Sequence, residues 1–564
     1  MRNKIKNIII ILLTKQFLIG AYPNPIFGEN GMIVSTSKQA SDAGVKILQK
    51  GGNAIDAAVT VGFALAVTSP SNGNIGGGGF LVAALANGEF FTIDHREKAP
   101  LSASKNMFLN DSGNVIPGMS LYSRASSGVP GTVDGLIRAL EDYGSGDISL
   151  REALNPAITL AERGFLLSHY EAMRFNAYKD FFLRNKAASK IFIRKDGRPW
   201  KKGDNFIQRD LATTLKKIAR YGRDGFYKGS VANLIVNEMQ HGNGLITLDD
   251  LSNYSSKYRS PVTGTYKNFE IISMGPPSSG GALLVNMLNM LEHYSMEKID
   301  WNSSEYIHIK TEVERRAYAD RAEHMGDPDF WDVPLEYLTS KEYAKKRIRD
   351  IKLDTATLST DISSTKNFRS ESPETTHYSV VDKWGNAVSV TTTINLGYGN
   401  GCIVEGAGFF LNNEMDDFSS KPGVPNVFGL IGNEANAVEP GKRPLSSMTP
   451  TIVLKNNKPY LVIGSPGGST IITTTMQTIL NIIDHDMDIK EAVCSERFHS
   501  QWLPDVIQFE PNSLTKDVRT SLELKGHKLM PRGGYIGEAN GIIIKEEGFY
   551  GGGDCRGETT ASGY

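Results

Sequence analysis

A hydroxyl nucleophile needs a base within hydrogen-bond reach, and one stretch of this sequence can supply both from a single residue. Thr375-Thr376-His377-Tyr378-Ser379-Val380-Val381-Asp382 reads as a strand, Lys383-Trp384-Gly385-Asn386 as a turn, and Ala387 to Thr393 as the returning strand. Just before it, Lys352 to Glu374 is dominated by Ser, Thr, Asp, Asn and Lys, the composition of a mobile linker. A cut before Thr375 would free an α-amine with a pKa of about 8, partly neutral and close enough to serve its own hydroxyl as base. Pairing Asp382 with Ala387 sets Thr375 opposite Ile394, and a one-residue bulge would bring Thr393 there instead. His377 shares a face with Thr375 but lies ~7 Å along the strand, too far for a direct hydrogen bond, and reads as structural. Taken alone, the segment fits an ordinary Thr-rich hairpin equally well.

A second constellation is Gly464-Ser465-Pro466-Gly467-Gly468-Ser469-Thr470, between the strand Pro459 to Ile463 and an apolar helix from about Ile471. Backbone N–H groups without side chains at a helix start can cradle an oxyanion or carboxylate; the plain alternative is a tight turn. Arg96 stands in the charge run Ile93 to Lys98, just past a strand. Asn412-Asn413-Glu414-Met415-Asp416-Asp417-Phe418 offers carboxylates to an ammonium group, and Ser446-Ser447 offers hydroxyl donors to a carboxylate. Each reads equally as a solvated loop or capped turn. Gly73-Asn74-Ile75-Gly76-Gly77-Gly78-Gly79 lacks the Lys-Ser/Thr of a phosphate loop and reads as close backbone packing.

The elements that must position these groups belong to a chain of 564 residues with 61 Lys+Arg against 62 Asp+Glu. That balance gives no basic excess for a nucleic-acid backbone. Glycine, at 57 residues, exceeds the usual ~7% and marks many tight turns and close approaches. Cys402, Cys494 and Cys555 are too few and scattered for a disulfide framework and read as unpaired; the histidines form no HExxH, so no metal is expected. Arg2, Lys4 and Lys6, the apolar run Ile8 to Leu13 and Gly20-Ala21 read as an export signal over 1–21, with a periplasmic or secreted product free of the membrane after its removal. Helical patterns dominate from Ser149 to about Tyr343.

Together these segments resemble γ-glutamyltranspeptidase, of the N-terminal-nucleophile hydrolase superfamily, from about Gly31 to the end. The strings that carry the resemblance are Gly73–Phe80, Asp94–Pro100, Pro276–Gly281, Ala317–Pro328, Thr375–Val381, Asn412–Phe418, Pro444–Pro450 and Gly464–Ser469. The resemblance implies an α+β fold, a four-layer αββα sandwich, and self-cleavage after Glu374 into a large subunit (22–374) and a small one (375–564). It makes Thr375 the nucleophile, oriented by Thr393, with the Gly467 and Gly468 N–H groups as oxyanion hole. Arg96, Ser446 and Ser447 would bind the glutamyl α-carboxylate; Asn395, Glu414 and Asp417 would bind the α-amino group. Glutathione or glutamine would donate the acyl group, and water, an amino acid or a dipeptide would accept it, with no cofactor. Two departures stand out. Phe428 replaces the tyrosine of many bacterial lids, implying a looser lid and an altered balance of hydrolysis and transfer. Cys555 stands where a proline is common. A glutaryl or cephalosporin acylase on the same fold and an unprocessed exported binding protein are the rival readings.

Overall fold

Side-chain alternation along the strands sorts the chain into layers. In the computed structural model, which describes residues 22–362 and 375–564, two seven-stranded sheets are stacked face to face. The first is built around the hairpin Thr376–Asp382 and Ala387–Thr393, flanked by Gly31–Ser35 and Thr560–Gly563 on one side and by Gly78–Ala84, Phe90–Asp94 and Lys257–Arg259 on the other. The second runs Ile26–Gly28, Gly548–Gly553, Asn540–Lys545, Lys458–Gly464, Thr451–Lys455, Phe269–Ser273, Val262–Tyr266. All of these pairings are antiparallel. Three of the strands, Lys257–Arg259, Val262–Tyr266 and Phe269–Ser273, interrupt the region read as mostly helical.

Period-two burial then assigns the faces. Met32, Val34, Phe80 and Val82 meet Ile272, Ile452, Val462 and Ile542 between the sheets. Their neighbours Ile33, Leu81 and Val380 point outward onto the helices Lys38–Gln49, Ala54–Thr68 and Thr132–Tyr143. Ile271, Val453 and Ile463 point outward onto Gly280–Leu291, Ser304–His324 and Thr470–Ile483. Helix, sheet, sheet, helix is the four-layer αββα order.

Toward the Thr375 end the inter-sheet seam turns polar. Ser389 Oγ donates to Ile463 O (3.1 Å), Ser379 Oγ to Asn540 O (3.2 Å), and Asn540 Nδ2 to His377 O (3.1 Å). His377 lies in this seam, its ring 2.8 Å from Thr391 Oγ1 and directly over Gly464, where an added Cβ would sit 2.4 Å from it. Burial lowers its pKa to about 3, so it is neutral and structural, as its spacing from Thr375 indicated.

The hairpin register differs from the expected one. Val381, not Asp382, pairs with Ala387, and Thr376 pairs with Thr392. Asp382 turns its carboxylate onto the N–H groups of Trp384 (2.9 Å) and Asn386 (3.0 Å), and Gly385 takes φ 93°, so the loop absorbs one more residue. Continuing this register sets Thr375 opposite Thr393 with no bulge.

Two further expectations need correction. Residues 352–362, read as mobile linker, are docked: Thr357 N–H donates to Glu312 (3.0 Å), Ser359 Oγ to Trp502 O (2.9 Å), and Ile362 is buried. Glu374 and the rest of that segment, like 1–21, lie outside the described residues. Cys494 and Cys555 are not free. They form a disulfide (Cα–Cα 5.2 Å) because the helix Ile489–Cys494 packs against the strand Gly548–Gly553, which closes a separation of 61 residues that no local pattern reveals. Closing a loop of that size stabilises by about 2–4 kcal/mol. Cys555→Ser is therefore expected to lower the urea midpoint, and reductant should shift the wild type to the same value without shifting the variant.

Candidate active site

The first strand pair delivers two threonines to one spot. Thr375 and Thr393 are both buried and both wall one small cleft at the end of the central hairpin. Two asparagines from the glycine-rich stretch fix their backbones. Asn72 Nδ2 donates to Thr375 O (2.9 Å) and Asn74 Nδ2 to Thr393 O (3.0 Å), while Asn395 N–H donates to Thr393 Oγ1 (2.8 Å). The glycines around Asn74 are there for close packing, as their sequence indicated: an added Cβ at Gly77 would lie 2.1 Å from Thr393 O, and one at Gly76 2.2 Å from Phe410 O.

The second sheet brings the glycine turn to the same cleft. Gly467 (φ 140°) and Gly468 (φ 59°) occupy backbone conformations that disfavour side chains, and Thr470 starts the following helix. Among the described residues neither N–H donates to a backbone carbonyl, so both remain available to a ligand oxygen. The Phe428 ring closes over this turn; a Cβ at Gly468 would fall 2.7 Å from it. The loop carrying Phe428 is not slack. Asn426 Nδ2 donates to Asp417 Oδ1 (3.3 Å) and Val427 N–H to Asp416 Oδ2 (3.0 Å).

The remaining wall is electrostatic. Arg96 is fully buried and ion-paired to both Glu414 and Asp417, with Glu97 3.4 Å away and Pro444 O accepting from Nε at 3.3 Å. Burial opposes its charge, but the three carboxylates more than compensate and raise its pKa, so it stays a cation. The carboxylates pay for the same burial: desolvation pushes Glu97 up to about 7 and raises Glu414 and Asp417, against the pull of Arg96. Glu414 Oε2 and Asn395 Oδ1 are buried without a hydrogen-bond partner. Glu414 and Asp417 share the Arg96 guanidinium beside two unsatisfied acceptors, which is a site short of hydrogen-bond donors.

Ser446 and Ser447 lie on the same cleft. Ser446 is fixed by its backbone, accepting from Ser279 N–H (2.9 Å) and donating to Pro277 O (2.9 Å). Sequence reasoning missed Arg321, which also walls the cleft and donates to Ser279 Oγ (2.9 Å) and Ser447 Oγ (3.3 Å). It sits in the Ala317–Pro328 string, and the signal available was a charged residue on a helix buried along most of its length. Asn72 and Asn74 were likewise passed over among the glycines. Of the ten residues assigned to catalysis and substrate binding, all but Gly467 line the cleft directly, and Gly467 precedes Gly468 in the turn.

Among the described residues one group has metal-ligand chemistry, His308, Glu312 and His527. Its atoms are already used: Glu312 accepts from Arg315 (3.0 Å) and Arg316 (2.6 Å), and His308 pairs with His527 (2.7 Å) and Lys352 O (2.7 Å).

Comparison with known proteins agrees with this geometry. The family model described as gamma-glutamyltranspeptidase matches residues 40–564. The glutathione hydrolase proenzyme of Escherichia coli is 47% identical over 534 residues, covering 94% of this chain and 91% of that protein. Among solved structures, Helicobacter pylori gamma-glutamyltranspeptidase superposes with TM-score 0.58 at 46% identity, over 60% of this chain and 96% of that one. The cephalosporin acylase of Bacillus halodurans superposes with TM-score 0.84 at 25% identity, over 97% and 98%. The chain belongs to the γ-glutamyltranspeptidase family.

Proposed function

We propose that this chain is a self-cleaving γ-glutamyltranspeptidase, a glutathione hydrolase, that cuts itself between Glu374 and Thr375 and then uses Thr375 for turnover. The observation that carries the substrate class is the cleft beside Thr375, where Glu414 and Asp417 stand together on the wall and two buried acceptors, Glu414 Oε2 and Asn395 Oδ1, are unpaired. An α-ammonium group supplies the missing donors, held by Glu414, Asp417 and Asn395. The α-carboxylate of the same glutamyl unit is held by Arg96 and the hydroxyls of Ser446 and Ser447, with Arg321 behind Ser447. A zwitterion anchored at both charges leaves its γ-carbonyl to reach Thr375.

Cleavage leaves Thr375 with a free α-amine, and Thr393 orients that end. The amine takes the Thr375 hydroxyl proton as Oγ attacks the γ-carbonyl, and the Gly467 and Gly468 N–H groups hold the oxyanion. Collapse expels the leaving amine with the proton and forms a γ-glutamyl ester. Water, an amino acid or a dipeptide then attacks the ester and regenerates Thr375. No step calls on a cofactor. A glutaryl acylase would gain nothing from the ammonium site, and the acylase proenzyme relative of Pseudomonas is more distant, at 34% identity against 47% for the hydrolase relative.

The processed enzyme is read as a heterodimer of 22–374 and 375–564, exported by 1–21 to the periplasm or outside. The Cys494–Cys555 disulfide supports that address, since such bonds persist in oxidising compartments. No helix among the described residues is long and apolar enough to cross a membrane.

Intact mass tests the processing directly. The wild type should give two fragments, the smaller beginning at Thr375, and Thr375→Ala one uncut chain; a cleaved Thr375→Ala would refute the assignment. The ammonium site has its own pH signature. Glutamate, measured as a competitive inhibitor, should bind more tightly as pH rises from about 5 through the Glu97 transition at about 7, because its ammonium needs the cluster deprotonated. Inhibition that is flat or weakens over that range would contradict the assigned polarity.

A further inference from the structure

We propose that Gln501 is a positioning residue that fastens the loop carrying Phe428 to the oxyanion turn, so that closing the cleft and shaping the oxyanion hole are a single event. The proposal rests on the reading of Gly467 and Gly468 given above. Gln501 is buried and follows the short strand Phe498–His499, outside the cleft. Its Nε2 donates to the backbone carbonyl of Phe428 (3.3 Å), and its Oε1 accepts from Ser469 Oγ (2.6 Å). Ser469 directly follows Gly468, and its own carbonyl is taken by the Tyr318 hydroxyl.

The orientation of this amide is determined by its partners. A carbonyl can only accept, so the Phe428 side must face Nε2, which leaves Oε1 toward Ser469 and His499. His499 Nε2 lies 2.9 Å from Oε1 and must donate there, which leaves Nδ1 an acceptor, 2.8 Å from a Thr473 hydroxyl that also lies 3.1 Å from Thr470 O. Burial holds this imidazole neutral, with its pKa lowered to about 3, which permits one tautomer and one direction of bonding. The relay thus runs from the helix behind the turn, through His499 and Gln501, to the loop above it. A phenylalanine ring at position 428 has no hydroxyl with which to hold the loop down. Here a main-chain carbonyl does the holding, at the same point where the ring covers Gly468. The loop is therefore tied on two sides, to Asp416 and Asp417 near the ammonium site and to Gln501 near the oxyanion turn.

The test uses the processed enzyme with Gln501→Glu, which keeps the acceptor for Ser469 and loses the donor to Phe428 O, and Gln501→Met, which loses both. Subunit cleavage and melting temperature report folding. Amide hydrogen exchange is read over 424–431 and over the strands Thr376–Asp382 and Lys458–Gly464, alongside kcat and KM for a chromogenic γ-glutamyl anilide. Both variants should speed exchange in the loop and not in the strands. Gln501→Glu should raise KM about threefold to tenfold with little loss of kcat, and Gln501→Met should also lower kcat at least about tenfold by letting the oxyanion turn relax. Adding Ser469→Ala to Gln501→Met should cost almost nothing further. Loop exchange within about twofold of wild type, or faster exchange in loop and strands alike, would overturn the coupling. If Gln501→Met does not process, Gln501→Glu alone decides by the same criteria. Failure of the underlying reading is a different observation, an active Thr375→Ala enzyme.

Discussion

A single guanidinium buried among three carboxylates is the constraint around which this site is organised. Arg96 cannot be solvated where it sits, and neither can Glu97 or Glu414, while Asp417 is only partly exposed on the cleft. Isolated, any of these charges would cost several kcal/mol; together they offset one another but leave Glu414 Oε2 and the neighbouring Asn395 Oδ1 without donors. The cluster is tolerated because every element around it is fixed: Arg96 follows the strand Phe90–Asp94, paired on both sides in the first sheet, Glu414 and Asp417 share one short helical turn, and Pro444 O caps the guanidinium. The reward is selectivity, because a zwitterion can satisfy the carboxylates with its ammonium while Arg96 and the serines take its carboxylate.

The sandwich exists to bring that cluster, a nucleophile and an oxyanion turn together from distant parts of the sequence. The central hairpin of the first sheet ends at Thr375 and Thr393, and a strand of the second ends at Gly464, just before the glycine turn. Polar bonds across the seam from Ser379, Ser389 and Asn540 lock the two sheets at that end, where an apolar interface alone would permit sliding. His377 and Gly464 fit as bulk against absence of bulk, which sets the distance between the hairpin and the turn. From the outer layer, Ser304–His324 presents Tyr318 and Arg321 three residues apart on one face, one to the oxyanion turn and one to the serines.

What was legible in the sequence was local. Alternation showed the central hairpin, the glycine turn announced itself by composition, and the Gly73–Gly79 stretch read correctly as tight packing. The hairpin register came out one residue off because the Asp382 side chain and the φ of Gly385 enlarge the loop, a choice that strand pattern does not encode. The disulfide was missed because its cysteines are far apart in the chain, and the docking of 352–362 because polar residues there bond to Glu312 and Trp502 rather than to water. The individual roles of Arg96, Asn395, Glu414 and Ser446 came from family resemblance; local pattern alone left Arg96, Glu414 and Ser446 as loop or turn residues and did not single out Asn395. Arg321 is marked only as a charge on a buried helix, and Gln501 not at all, since what they do depends on contacts with distant segments, Arg321 on Ser447 and Gln501 on Phe428.

The central claim is that Glu414, Asp417 and the unpaired Asn395 acceptor beside Thr375 select an α-ammonium group. Comparing kcat/KM for a γ-glutamyl anilide with that for the glutaryl anilide, identical but for the amino group, tests it most directly. The account predicts a loss of at least about a hundredfold for the glutaryl compound, since it leaves buried carboxylates unpaired and cleft acceptors unsatisfied. Comparable rates on the two would mean that the Arg96 cluster does not read the amino group, and that the site is an acylase site with a different logic.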